Sequence, residues 1–191
     1  MNKIVKNYVT QLNVALNDKL LNTELIKSAN LISNCIRQNG YVYVAGNGGS
    51  AAISNHLLCD FSKGIEEKTN YSPRVISLSN SPELITAISN DSDFSNIFVN
   101  QVTNRLDPRD VCILISSSGE SKNIIKLAKY LIKKRVDFIS IIGFDGGAKP
   151  LRAANFSMHI VSNDYGVIED ASQTIMHLLA KLVIEELNEE I

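Results

Sequence analysis

The sequence predicts an α/β protein in three layers: a parallel β-sheet flanked by helices on both faces, with further helices ahead of the first strand. Two observations predict the sheet. Short runs that are apolar throughout alternate with longer stretches of helical periodicity, and strands without a polar side belong to a parallel sheet covered on both faces. Two of these runs end in glycine- and serine-rich loops that open directly into a helical pattern, as at the ligand-binding edge of open α/β sheets. A third observation sets the domain count. No repeat, low-complexity tract or linker divides the 191 residues, which suit one domain (1–191) of N-terminal helices (1–38) and an α/β core (41–191).

The elements follow in order. From Ile4 to Arg37 apolar residues recur at helical spacing (Ile4, Tyr8, Leu12, Leu16, then Leu25, Ala29, Ile32, Ile36), which predicts two helices. Thr23-Glu24 is the expected start of the second and Asn39-Gly40 its stop. Tyr41–Ala45 is the first strand, followed by Gly46-Asn47-Gly48-Gly49-Ser50 and a helix over Ala51–Ser62. Arg74–Leu78 is the second strand, with helices expected over Pro82–Ser89 and Phe94–Leu106. Val111–Ile115 runs into Ser116-Ser117-Ser118-Gly119-Glu120-Ser121 and a helix over Lys122–Lys134. Strands Phe138–Ile142 and Phe156–Val161 flank a glycine-rich turn, and a last helix runs from about Val167 to Glu190.

A net charge of −1 argues against nucleic-acid or anionic-membrane binding, which need a basic surface excess. The run Lys133-Lys134-Arg135 is read as solvating a helix end. No apolar stretch approaches the roughly 18 residues of a membrane span, and the N-terminus does not read as a signal peptide. Cys35, Cys59 and Cys112 lack metal-type pair spacing and read as mostly buried free thiols. The expected location is the cytoplasm.

The two loops carry the functional signal. A helix N-terminus offers unpaired N–H groups and about half a positive charge, which suits a phosphate. Glycine lets the backbone approach closely, and the hydroxyls of Ser116, Ser117, Ser118 and Ser121 add neutral donors. Gly46-Asn47-Gly48-Gly49-Ser50-Ala51 also matches the dinucleotide pattern G-x-G-x-x-A. That fold needs an acidic residue at the end of the next strand, and here the strand ends Ser77-Leu78-Ser79-Asn80. The dinucleotide reading is therefore rejected.

His56 and Asp60, at i and i+4, share a helix face. Glu169 and His177 lie within roughly 80° of each other on the last helix. A carboxylate and an imidazole beside a sugar carbonyl are what aldose–ketose isomerisation requires: one shuttles a proton between C1 and C2 through an enediol, the other protonates the carbonyl oxygen. The same four residues form a zinc-type set of two imidazoles and two carboxylates. A histidine on an apolar helix such as Ile175–Leu182 also has a plain reading as a hydrogen-bonded core residue.

These residues together carry a resemblance. GNGGSAA with His56 following, Asn90-Asp91, SSSGES and His177 on the last helix resemble the sugar isomerase (SIS) domain family, and particularly its sedoheptulose 7-phosphate (phosphoheptose) isomerases. The resemblance spans the chain and implies a flavodoxin-like SIS fold, a homotetramer with active sites between subunits, and a role in heptose precursors of bacterial surface polysaccharide. It implies phosphate contacts from the four serines and sugar contacts from Asn47, Gly48, Gly49, Ser50, Asp91 and Glu169. It further implies Asp60 as base, His177 as acid, and one Zn²⁺ per subunit held by His56, Asp60, Glu169 and His177. The chain departs from the family where a glutamate becomes Asp60, a glutamine becomes Glu169, an aspartate becomes Gly166 and a histidine becomes Ser172. Two other readings accompany the enzyme: a non-catalytic relative that binds a sugar phosphate or a protein such as a replication initiator, and an isomerase of another sugar phosphate.

Overall fold

The architecture was taken from a computed structural model, which describes residues 2–189. Helix α1 (Lys3–Leu16) is followed after two residues by α2 (Lys19–Arg37). The second helix starts earlier than Thr23. Asp18 provides the N-cap, its side chain accepting from Leu21 N at 2.8 Å. Thr23 instead donates back to Lys19 O within the helix, as mid-helix threonines do. Asn39, with φ of 59°, turns the chain out of α2.

Five parallel strands follow: β1 (Tyr41–Gly46), β2 (Arg74–Ser77), β3 (Val111–Ser116), β4 (Asp137–Ile142) and β5 (Phe156–His159). Their order is β2-β1-β3-β4-β5, the flavodoxin-like arrangement, with its switch point between β1 and β3. Period-two alternation divides the interior in two. Val42, Val44, Val111, Ile113, Ile139 and Ile141 face one core, while Tyr43, Ala45, Cys112, Leu114, Phe138 and Ile142 face the other. The first core is closed by α2, α3 (Gly49–Cys59) and α8 (Tyr165–Asn188). Both α1 and α2 pack on α8. The second core is closed mainly by α5 (Val99–Val102), α6 (Lys122–Lys134) and α7 (Lys149–Arg152), with α4 (Pro82–Asp91) alongside.

Two of the expected helices are broken. The helix after β1 does not run unbroken to Ser62: α3 ends at Cys59 and the chain widens into a π turn, Asp60–Ile65. The wide turn keeps Leu57, Phe61 and Ile65 fully buried and starts at the candidate base, in keeping with the tendency of π turns to mark functional sites. The expected helix Phe94–Leu106 is broken into a 3₁₀ turn (Phe94–Asn96) and the short α5. Gln101 holds this segment, its buried amide donating to Leu78 O and Ile97 O at 2.9 and 2.7 Å. The sequence reading also missed α7, which has proline in its first turn. Lys133 and Lys134 occupy the last turn of α6, as expected, but of the three thiols Cys59 is exposed. The last helix ends at Asn188, and Glu190 lies outside the described residues.

Candidate active site

The loops after β1 and β3 meet at the switch point and line a cavity of about 280 Å³. Asn47, Gly48, Gly49 and Ser50 form one wall, Ser116, Ser117, Ser118 and Ser121 a second, and Tyr165 and Glu169 of α8 a third. Two helices open onto it with bare ends. Gly48, at φ 53° and ψ −122°, precedes α3 and has no side chain to cap with. Ser121 precedes α6 and its hydroxyl makes no cap bond. Within those first turns Ala51 N donates to Gly48 O and Ile124 N to Asn123 Oδ1, so the N–H groups of Gly49 and Ser50 in α3 and of Lys122 and Asn123 in α6 are the ones that remain for a ligand. Ser116 Oγ accepts from Gly119 N and Ser118 Oγ from Glu120 N, each at 3.2 Å, which leaves both O–H groups to donate. The two loops thus make a donor-rich cradle for a phosphate with no charged side chain lining it from either loop, while the α8 wall carries the Glu169 carboxylate.

The cradle is braced from behind. Asn47 and the buried Asn123 exchange amide hydrogen bonds, both at 2.9 Å, and so join the two loops. Gly143 N donates to Ser117 O, and Ala148 N to Gly119 O. Gly119 and Gly147, both at positive φ, cross so closely that a Cβ on Gly119 would lie 2.3 Å from Gly147 Cα. Ser79 Oγ donates to Gly46 O at 2.7 Å, a backbone tie at the end of β2 where a dinucleotide fold would place its ribose carboxylate.

Glu169 lies against the start of α3: a Cβ on Gly49 would sit 2.6 Å from its Oε1. The positive end of the helix dipole favours a carboxylate there. Two turns along α8, His177 Nδ1 is 2.9 Å from Asp60 Oδ2, and His56 Nε2 is 3.5 Å from Asp60 Oδ1. The two rings meet edge to face, centroids 4.9 Å apart. Asp60 and His177 line a second cavity of about 360 Å³ with Gly64, Lys68 and Lys181. The expected acid–base pair is therefore assembled, in a cavity distinct from the serine cradle.

One ligand atom each from His56, Asp60 and His177 fits within 4.8 Å. Tetrahedral ligands about 2.1 Å from zinc stand roughly 3.4 Å apart, so small side-chain rotations would close this set on an ion. Glu169 is not part of the triad. Asp91 lies exposed at the end of α4, accepting from Asn90 Nδ2 at 3.1 Å, and lines neither cavity.

Three residues escaped the sequence reading. Gln173 donates from Nε2 to His56 Nδ1 and His177 Nε2, both at 3.1 Å. Its spacing, midway between Glu169 and His177 at i+4 from one and i−4 from the other, was a usable signal. Asn123, behind the cradle, and Tyr165, edge-on to Phe144 at the cavity mouth, gave none. Two departures have local causes. A Cβ at Gly166 would lie 3.0 Å from Tyr8 Oη; that phenol donates to Asp170 Oδ2 at 2.7 Å, a bond that pushes its pKa up to about 12. Ser172 is buried and donates to Ile168 O at 2.7 Å.

Comparison with known proteins agrees with this geometry. Residues 6–143 match the SIS domain family. A phosphoheptose isomerase of Thermodesulfovibrio yellowstonii is 31% identical over 163 residues, covering 85% of this chain and 80% of that protein. Phosphoheptose isomerase 2 of Campylobacter jejuni is 30% identical over 193 residues, covering 98% and 94%. The solved structure of a phosphoheptose isomerase from Francisella tularensis superposes with a TM-score of 0.86 at 24% identity, covering 97% of this chain and all of that one; it shares the fold. The chain belongs to the SIS domain family, in its phosphoheptose isomerase branch.

Proposed function

We propose that the protein is a ketose–aldose isomerase that converts sedoheptulose 7-phosphate to the aldose heptose 7-phosphate. The observation that carries this reading is the spacing along α8 between the serine cradle and the acid–base pair. Glu169 lines the cradle and His177 lies eight residues further on, about 12 Å at 1.5 Å per residue. A seven-carbon chain has six C–C bonds of about 1.5 Å, a contour of roughly 9 Å before its phosphate is added. With the phosphate in the cradle, such a sugar reaches toward Asp60 and His177 with its carbonyl end, whereas a three-carbon sugar falls short.

The proton bookkeeping closes with this chain's residues alone. Asp60 takes the C1 proton of the ketose while His177 gives a proton to O2, leaving an enediol. Asp60 then returns its proton to C2 as O1–H gives one back to His177, and the aldose forms. A bound zinc, held by His56, Asp60 and His177, would supply charge stabilisation to the developing enediolate oxygens. The fourth donor that the resemblance implied, Glu169, belongs by its position to sugar contact.

The same reading extends to the assembly. Helix α1 exposes Ile4, Val5, Val9 and Val14, apolar surface suited to other copies of this chain. A homotetramer would let Asp91 complete a neighbour's site. Among the described residues no helix is long and apolar enough to cross a membrane. The free thiols suit the reducing cytoplasm, where the product would feed surface-polysaccharide precursors.

The test is incubation with a panel of ketose phosphates in heavy water. Deuterium should appear at C2 of the aldose from the seven-carbon substrate. Asp60→Asn should slow that exchange about 10²–10⁴-fold while substrate binding by calorimetry persists. No incorporation from any substrate, with or without added zinc, would refute the enzyme reading.

A further inference from the structure

Four side chains at the meeting of α3, the π turn and α8 form a ring of three hydrogen bonds closed by one longer contact. Gln173 Nε2 touches His56 Nδ1 and His177 Nε2, each at 3.1 Å. His177 Nδ1 touches Asp60 Oδ2 at 2.9 Å, and His56 Nε2 faces Asp60 Oδ1 at 3.5 Å. The proton inventory of this ring has one solution when both imidazoles are neutral. A carboxamide nitrogen brings two hydrogens and no acceptor, so both ring nitrogens facing Gln173 must carry lone pairs. The protons of the rings then sit on His177 Nδ1 and His56 Nε2, the nitrogens that face the carboxylate. For His177 the carboxylate alone would select that tautomer. For His56, at 3.5 Å, Gln173 makes the closer contact and decides.

This arrangement is incompatible with metal at the nitrogens facing Asp60, because a ligating nitrogen must offer its lone pair. To hold an ion with Asp60, each ring must move its proton to the nitrogen facing Gln173. That nitrogen then donates, and its partner must be an acceptor. Gln173 becomes one by turning its carboxamide through half a rotation to present Oε1. We infer that Gln173 is a positioning residue whose carboxamide, turned one way or the other, selects the tautomers of His56 and His177 and so switches the cluster between a proton-transfer form and a metal-holding form. The inference builds on the proposed reading of this cluster as the acid–base and metal site, but its first test requires neither substrate nor turnover.

The experiment compares the wild type with Gln173→Leu, which can neither donate nor accept, and Gln173→Glu, which as a carboxylate only accepts. Long-range ¹⁵N–¹H spectra of metal-free protein labelled at histidine nitrogen are recorded at pH 8. The wild type should show His56 protonated at Nε2. Gln173→Glu should move that proton to Nδ1, and Gln173→Leu should give a mixture. Chelator competition then reads zinc affinity, which outer-shell partners of ligating histidines typically change 10–100-fold. It should fall by such a factor in Gln173→Leu and rise in Gln173→Glu. Circular dichroism confirms that each variant folds. An unchanged His56 tautomer in both variants overturns the selector. Zinc affinity that falls alike in Gln173→Leu and Gln173→Glu shows a packing role and overturns it too. A wild type that binds no zinc removes the metal-holding form, whatever the exchange assay shows.

Discussion

Replacing Gly119 by alanine tests whether the serine cradle is held by the backbone crossing behind it. The added Cβ would stand 2.3 Å from Gly147 Cα and 3.1 Å from Gly147 N. Carbon atoms rest at about 3.5–4.0 Å, so the two strands of backbone must part by more than about 1 Å. A flexible side chain could swing aside, but both contacts are main chain. The loop is also tied at Ala148 N to Gly119 O and at Gly143 N to Ser117 O, so the displacement carries Ser116, Ser117 and Ser118 with it. A 1 Å misplacement of binding groups can cost about 10²-fold in rate, or about 2.7 kcal/mol at 1.36 kcal/mol per decade. Positive φ, +66° at Gly119, adds about 1–2 kcal/mol of backbone strain for any L-residue. Two further glycines separate these effects. Gly48→Ala has the positive φ, +53°, but no atom within 4 Å of the new Cβ, so it should show strain alone. Gly64→Ala meets open space at ordinary φ inside the π turn and should gain about 0.5–1 kcal/mol. Urea unfolding should rank stability as Gly64→Ala above wild type, then Gly48→Ala, then Gly119→Ala. Isomerase kinetics should show kcat/KM down about 100-fold or more in Gly119→Ala. If Gly119→Ala unfolds with Gly48→Ala and keeps wild-type kcat/KM, the crossing does not position the cradle and the reasoning fails.

Other outcomes follow from single contacts. Asn123→Ala removes the reciprocal amide pair with Asn47; it should cost about 1–3 kcal/mol and raise KM, and unchanged urea midpoint and KM would show the pair to be incidental. Phe61→Ala, at a fully buried position in the π turn, should cost about 3–5 kcal/mol, read from the same unfolding curves. A thiol reagent at pH 8 should modify Cys59 rapidly, being exposed, and spare the other two until denaturant is added. Burial pushes the Cys35 thiol up to about 12 and Cys112 higher still, so almost no thiolate forms at either; release of three equivalents from native protein would contradict this.

The strands were legible because their residues obey a rule with no alternative: a run such as Val111–Ser116, buried at every position, cannot face water. Both cradle loops were legible for a related reason, since glycine and serine clustered at a strand's carboxyl end leave little else for the backbone to do. The helix breaks were not. Apolar spacing across Asp60–Ile65 fits an α-turn and a π turn alike, because Leu57, Phe61 and Ile65 stay at four-residue intervals in either. Thr23 looked like a cap because its chemistry suits one, yet Asp18 was five residues closer to the chain reversal and its carboxylate reached Leu21 N first. Local chemistry nominates caps, and the packing of α2 on α8 decides among them.

The site divides along the same line. Residues proposed for their type, such as the serines, His56, Asp60 and His177, were nominated from sequence because phosphate binding and proton transfer demand those groups. Residues that act by relation could not. Gln173 matters only because two imidazoles from different elements converge on one amide, and Asn123 only because its amide meets that of Asn47. Glu169 shows both sides of the limit. Its carboxylate suggested a metal ligand by type, while its place against Gly49 at the start of α3 gives it a different electrostatic partner and sets it apart from the imidazole pair. Glu169 and Gln173 thus face different partners. With a carboxylate at 169 drawn to the helix end, the outer contact to both histidines falls to Gln173, one turn along the same stripe. If that compensation is real, Glu169→Gln should leave the His56 tautomer untouched while altering KM, and Gln173→Leu should do the reverse. A shared response of both variants in both measurements would mean that the stripe acts as one unit and the division of labour along α8 is wrong.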